Sequence, residues 1–574
     1  MQPRAHKSDD QRYKVVELQR RKVSAWQERY LLKSLNLKDQ TLSSLSSSDA
    51  ELLLKLKRQA ASRREFITML VSAGASVAAS NAIFSNIASA ADKTPRRGGK
   101  LIMAADQHGP DDTLDPALAS SSADYFRLRM FYGSLTRLTA DLNYEPELAE
   151  EINSNEDATV WTFKIRRGVE FHDGKLLTAD DVVYSMNRHI GSDSISKASA
   201  LVAMVDRWEK VNKFEVRAVL NSPSIDLPII LGTFHFKIIK DGTTNFQTAI
   251  GTGPYRVKEF KPGVRAIGSS FENFWTAGGY LDELEHYAIG DSVSRLNAFM
   301  AGNVDAMVNL PPQAIKFVDA AEGKELWTLK SGSYTSIVPR LDLAESSNLH
   351  LYKAMQALQD RQRLVKGILK GRGSLGNDQP INEAYSDYCP DIPQRELDPD
   401  KAKYHWARSG IGSTPVPVIC SDFAPGAVEQ CLFMQREGHK IGANFKVRKV
   451  ATEGYWGAVW LKAPIFAAGW NMRPTANVMM TLTFKSDSAW NESRWKNDKF
   501  DQTLVAVRGV IDPMKRKQMY CDLQTMIHEE NGMSIPVHRD FIDAAASHVK
   551  GRTSVPLNNF GGAECPVTLW RDDG

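Results

Sequence analysis

Apolar and polar side chains alternate through WTFKIRRGVEF, residues 161–171, the period-two mark of a half-buried strand. HDGK follows as a turn. Thr178-Ala179-Asp180-Asp181 then supplies a helix start: Thr178 is the N-cap, the carboxylates fall in the first turn, and the helix itself is expected from Val182 or Val183. Upstream, KLIMAA (residues 100–105) reads as a short apolar strand leading into a loop with TLDP, and DYFRLRMFYGSLTRL (124–138) reads as helix.

The first hundred residues have a different texture. Residues 1–61 are polar, basic and partly helical, with a candidate N-cap at Ser48 or Asp49 before Leu52, Leu53, Leu54 and Leu56. Arg63-Arg64-Glu65-Phe66 follows, then an Ala/Ser/Gly-rich, weakly apolar stretch, then Ala88-Ser89-Ala90 and a charged segment. Basic, apolar, small-x-small is the order of a secretory signal peptide. The paired arginines and low hydrophobicity point to the twin-arginine (Tat) translocase, with residues 62–91 as the signal. No cysteine lies near the cut, so a soluble product is expected in the periplasm rather than a lipoprotein. The signal begins some sixty residues into the chain. Two readings stay open: an extension removed with the signal, or a translation start further downstream.

A length of 574 residues leads us to expect about three or four domains or lobes. The net charge is +4, and Arg20, Arg21, Lys22, Lys55, Lys57, Arg58, Arg63 and Arg64 account for much of the excess, so no nucleic-acid partner is expected. After residue 100 no run of about 18 apolar residues suggests a membrane span. The five cysteines form no CxxC; a Cys420–Cys431 disulfide and buried free thiols are both open. HExxH, Walker A and GxSxG frames are absent, and no GxGxxG lies between a strand and a helix. His172-Asp173 sits in a turn, Asp180-Asp181 at a helix start, and His172, His189, His235 and His286 lack metal-ligand spacing. The expectation is a binding protein with no cofactor, not an enzyme. A Tat-exported cofactor enzyme is the alternative from another class.

From Tyr144 to Arg188 the chain reads EPELAE, then a strand ending Arg-Arg-Gly-Val-Glu-Phe-His-Asp-Gly, then the LTADDVVYS helix. GTGPY (251–255), AFMAGNVDAM (298–307), MQALQDRQRLVKGILKGRGSLGNDQP (355–380), ELDPDKAKYHWARSG (396–410) and the stretch 500–538 follow in order. In these landmarks, residues 98–560 resemble the extracytoplasmic solute-binding proteins of family 5, which serve peptide and nickel ABC importers. The resemblance implies an α/β, two-lobed periplasmic-binding-protein clamshell (class II, cluster C-like) with an extra domain. Lobe I would comprise 98–134, 250–335 and 535–574, the extra domain II 135–249, and lobe III 336–534. It also implies a monomer that captures a peptide or peptide-like solute and delivers it to an ABC permease and ATPase at the inner membrane. Nickel, haem, an opine or an oligosaccharide are alternative ligands.

Within that resemblance the informative stretch is FAAGWNMRPTANVMM, 466–480. Peptide-binding relatives carry Gly-Trp-x-x-Asp here, and the aspartate pairs with the ligand amino group. Arg473 stands in its place, a reversal of charge that suits a carboxylate or phosphate. Trp470, Asn471 and Arg473 are therefore candidates, with Tyr455 and Trp456 as aromatic walls. Asp422, Arg340 (with Asp342 as its expected neutralising neighbour) and Tyr125 complete the set. For Arg473 and Asp422 two readings are open: a ligand site of reversed polarity, or an internal ion pair.

Overall fold

Lys324–Pro339 and Ser534–Ala546 are the longest strands, and they organise the molecule. The computed structural model describes residues 94–451, 455–510 and 512–573. The extension, twin-arginine and cleavage-site readings fall on residues 1–93 and lie outside the described residues.

The two long strands pair antiparallel at the centre of an eleven-stranded mixed sheet. Tyr334–Pro339 pairs with Trp470–Ile465, beyond which lie Val416–Cys420 and Phe445–Lys449. On the other side Ala544 and Ala545 pair with Ala306–Met307, followed by Lys100–Ala105, Glu283–Ala288, Arg265–Ser270 and Tyr255–Lys261. Thus each half of the sheet uses a different end of Lys324–Pro339. The strand's register shifts between Leu329 and Ser333, a local irregularity of the kind that bends a strand pair. A large apolar core that includes Leu101, Leu284, Val338 and Phe466 spans both halves, and each half adds a smaller cluster of its own. Ile337, Trp406, Val418 and Phe445 belong to one, and Ala104, Phe299, Met307 and Ala544 to the other.

A separate four-stranded antiparallel sheet has the order Ala149–Ser154, Val160–Ile165, Glu215–Leu220, Val205–Asn212. Val160–Ile165 alternates half-buried and buried positions, as its period-two pattern predicts. The helix after it runs Ala179–Asn187, three residues ahead of the expected start at Val182. Asp181 accounts for the difference. Its Oδ2 accepts the Thr178 N–H at 2.9 Å, completing a capping box, and its Oδ1 takes Lys175 and the Asp241 N–H, so the first turn closes before the apolar run begins.

The GTGPY loop packs against the end of helix Ser122–Phe131. A Cβ on Gly253 would stand 2.4 Å from the Phe131 carbonyl carbon, so backbone approaches backbone where only glycine fits. His172 clamps this loop: Nδ1 accepts the Gly251 N–H (3.2 Å) and Nε2 faces the Gly253 carbonyl (3.0 Å). Burial lowers its pKa to about 4, so the ring is neutral and committed to the turn.

The disulfide joins Cys389 to Cys521. Of the two readings open for Cys420 and Cys431, the disulfide does not form and the thiols are free: both residues are buried in the core with Trp406 and Phe445. Cys431 lies in helix Ala427–Lys440 and its Sγ faces the Ala427 carbonyl at 3.6 Å.

Candidate functional site

Strand Ile465–Trp470 ends where the two halves of the large sheet meet, and the turn after it carries Asn471, Met472 and Arg473. This turn is tied to the register break of the long strand. The Gly332 N–H meets Met472 Sδ at 3.2 Å, and the Met472 N–H donates to Ser333 Oγ at 3.1 Å. The Arg473 N–H donates to Tyr385 Oη at 3.1 Å. Asn471 Nδ2 reaches Ser122 Oγ at 3.4 Å, at the start of helix Ser122–Phe131. One turn further, Tyr125 stacks on Phe234 with ring centroids 4.2 Å apart. Sequence distance is irrelevant here: positions 122, 332, 385 and 472 converge because the long strands carry the chain from one half of the sheet to the other.

Trp470 is buried and packs against Trp490, centroids 5.7 Å apart. The Arg473 guanidinium lies over the Trp470 ring at 5.3 Å, a cation–π contact, and its Nη1 donates to the carbonyls of Asn471 (3.2 Å) and Met472 (3.4 Å). Trp470, Asn471, Arg473 and Tyr125 are thus gathered in one place.

Glu492 is fully buried beside this group, with Trp460 Nε1 donating to its Oε1. Burial raises its pKa to about 7, against the opposing pull of the Trp460 and Trp470 indoles. The folded carboxyl keeps its proton to higher pH than the unfolded one. Its contribution therefore makes stability fall as pH rises from about 4.5 to about 7, where the loss is complete. Glu492→Gln is expected to abolish this slope and to gain about 2–3 kcal/mol over wild type at pH 8 but little at pH 4. Urea melts of both proteins at the two pH values check it. An equal difference at both would show that Glu492 titrates alike in the folded and unfolded protein.

The remaining candidates stand elsewhere or in other roles. Arg340 is neutralised by Asp342, the expected neighbour, through Nε (2.9 Å) and Nη2 (2.5 Å), and its Nη1 donates to the Leu461 carbonyl. Asp422 is exposed and pairs with Lys449 at 3.1 Å, so the internal Arg473–Asp422 pair does not form. The physical reason is that Phe445–Lys449 lies beside Val416–Cys420 and brings a nearer cation. Tyr455 is buried with its hydroxyl donating to the Ala467 carbonyl at 2.7 Å, which makes it a brace for the sheet. Trp456 is 42% exposed and rests on Phe423 and Trp460.

Tyr385, Met472 and Glu492 escape the sequence reading. Tyr385 lies in an irregular segment without periodicity, Met472 resembles any core methionine, and nothing in the local run AWNESRW marks Glu492 as buried.

Comparison with known proteins places these features in context. Residues 143–492 match the family model described as bacterial extracellular solute-binding proteins, family 5 Middle. The oligopeptide-binding protein AppA of Bacillus subtilis is 25% identical over 334 residues, 56% of this chain and 61% of that protein. Heme-binding protein A of Haemophilus influenzae is 24% identical over 484 residues, 76% of this chain and 86% of that one. Among solved structures, DppA from Helicobacter pylori in complex with the peptide STSA superposes with a TM-score of 0.74 at 20% identity, covering 83% of this chain and 99% of that one.

Proposed function

The chain belongs to the bacterial extracellular solute-binding proteins of family 5, and we infer that it encloses a peptide or peptide-like solute at the Trp470–Arg473 turn. Its fold is the two-lobed α/β architecture of periplasmic binding proteins. Its role is that of the binding component of an ABC importer, outside the cytoplasm. The family consists of binding proteins rather than enzymes, and binding with lobe closure needs no bond chemistry.

The observation that carries the reading is the long strand Lys324–Pro339. It feeds both halves of the sheet and changes register where the candidate turn docks on it. We assign 98–134, 250–335 and 535–574 to one lobe, 336–534 to the other, and 135–249 to the extra domain, with residues 329–333 as part of the hinge. Export by the Tat translocase through residues 62–91, a soluble periplasmic monomer and delivery to a permease–ATPase complex complete the proposal. No helix among the described residues is long and apolar enough to cross a membrane.

Calorimetry against dipeptides, a casein digest, opines and oligosaccharides is expected to give at least one ligand of about micromolar affinity or tighter. The same ligand is expected to reduce the radius of gyration in small-angle scattering. A folded protein that binds nothing in the panel would defeat the reading.

A further inference from the structure

Buried arginines in this protein are commonly matched by carboxylates. Arg129 meets Glu147 at 2.6 Å and Glu564 at 2.7 Å, and Arg361 meets Asp378. Where they are not, carbonyls can serve instead: Arg295 donates to Ile289, Gly290, Val308 and Asn309. Arg473 is half-buried and has neither arrangement in full. Among the described residues it makes no ion pair, and only Nη1 is hydrogen-bonded, to Asn471 and Met472. Nε and Nη2, one edge of the planar fork, have no protein acceptor among the described residues. The ionisable groups that feel its charge are Tyr125, Tyr334, Tyr385 and His235, all kept neutral by burial.

A half-buried guanidinium resting on one indole face, with no protein counter-charge, is left open to an anion that can reach it. Its free edge matches the two oxygens of a carboxylate. Its backbone is fixed by Tyr385 and its ring face by Trp470, so the fork is pre-positioned.

We propose that Arg473 is the anion anchor of the ligand site and takes the carboxylate of an acidic solute, such as a peptide's C-terminus, in a bidentate bond. The proposal rests on the peptide-capture reading above, and its test separates the two.

The full chain is incubated with a casein digest, with the same digest methyl-esterified, and with the same digest N-acetylated, and retained peptides are quantified by native mass spectrometry. The free-acid and N-acetylated digests are expected to be retained. Esterification, or Arg473→Gln, is expected to weaken retention about 10- to 100-fold, with Arg473→Lys intermediate. Thermal melts of both variants establish that they are folded. Equal retention of acid and ester by wild type, or unchanged retention by a folded Arg473→Gln protein, overturns the anchor and leaves peptide capture standing. Retention of no digest by wild type overturns peptide capture and the anchor with it. Displacement of the acid digest by millimolar inorganic phosphate would assign the anchor to phosphate instead and overturn the carboxylate.

Discussion

Asp378→Asn is expected to destabilise the protein by about 3–5 kcal/mol, the cost of leaving buried charge uncompensated. Asp378 is fully buried, and its Oδ2 accepts Arg361 Nη2 at 2.7 Å and Arg395 Nη1 at 2.8 Å. Its Oδ1 accepts the Ile535 N–H at 2.8 Å, at the start of the second long strand. Asparagine would fit the space but leave two guanidiniums facing a neutral amide. Burial alone would raise the Asp378 pKa, yet Arg361 and Arg395 outweigh it and hold the carboxyl below its ordinary value. The stability it contributes is therefore fully present above the unfolded-state pKa of about 3.9 and is lost as pH falls through the lower folded value. Chemical denaturation at pH 7 should show the full loss, and the difference between variant and wild type should shrink towards pH 3. A loss under about 1 kcal/mol at pH 7 would show that this network is hydrated rather than buried.

Removal of the Cys389–Cys521 bond is the second large effect expected. It closes a loop across a sequence separation of 132 residues and pins an irregular segment to helix Pro513–Glu530. Beside it, the Cys389 N–H donates to Gln524 Oε1 at 3.0 Å, and Gln524 Nε2 donates to the Asp387 carbonyl at 2.8 Å. Loop-closure entropy for that length is about 5 kcal/mol, and measured losses for native disulfides run about 2–5 kcal/mol. A Cys389→Ala/Cys521→Ala protein is expected to lose about 4 kcal/mol. Because Tyr385 is on the pinned segment and holds the Arg473 backbone, weaker ligand retention should accompany the loss. Thermal melts with and without reductant test the first part. An unchanged melting temperature in the double variant would refute it.

Local chemistry explains what could be read early. The alternation in WTFKIRRGVEF and the Thr178–Asp181 cap are short-range signals: the first is strand as far as Ile165 and turns away from Arg166 onward, and the second starts its helix at Ala179, ahead of the expected Val182. Arg361 and Asp378 both stand inside one family landmark, but nothing across the 17-residue separation between them signals that the two are buried against each other. The cysteines follow the same rule: of the two alternatives open for Cys420 and Cys431 the free thiols hold, and Cys389 and Cys521, far apart in sequence, are brought together only by packing.

The candidate site divides along the same line. Trp470, Asn471 and Arg473 were legible because the charge reversal sits in one contiguous motif. The freedom of Arg473 from Asp422, its contact with Tyr385, and the burial of Glu492 behind Trp460 were decided by strand order. By itself the sequence determined the family, the identity of the charged residue at the turn and the kind of several elements, though not their ends: the helix read over 124–138 stops at Phe131 and gives way to strand Thr136–Leu138. Apart from the near-neighbour pair Arg340–Asp342, the tertiary structure decided which charges are paired and which are left open, because long-range pairing and desolvation exist only once the chain has folded.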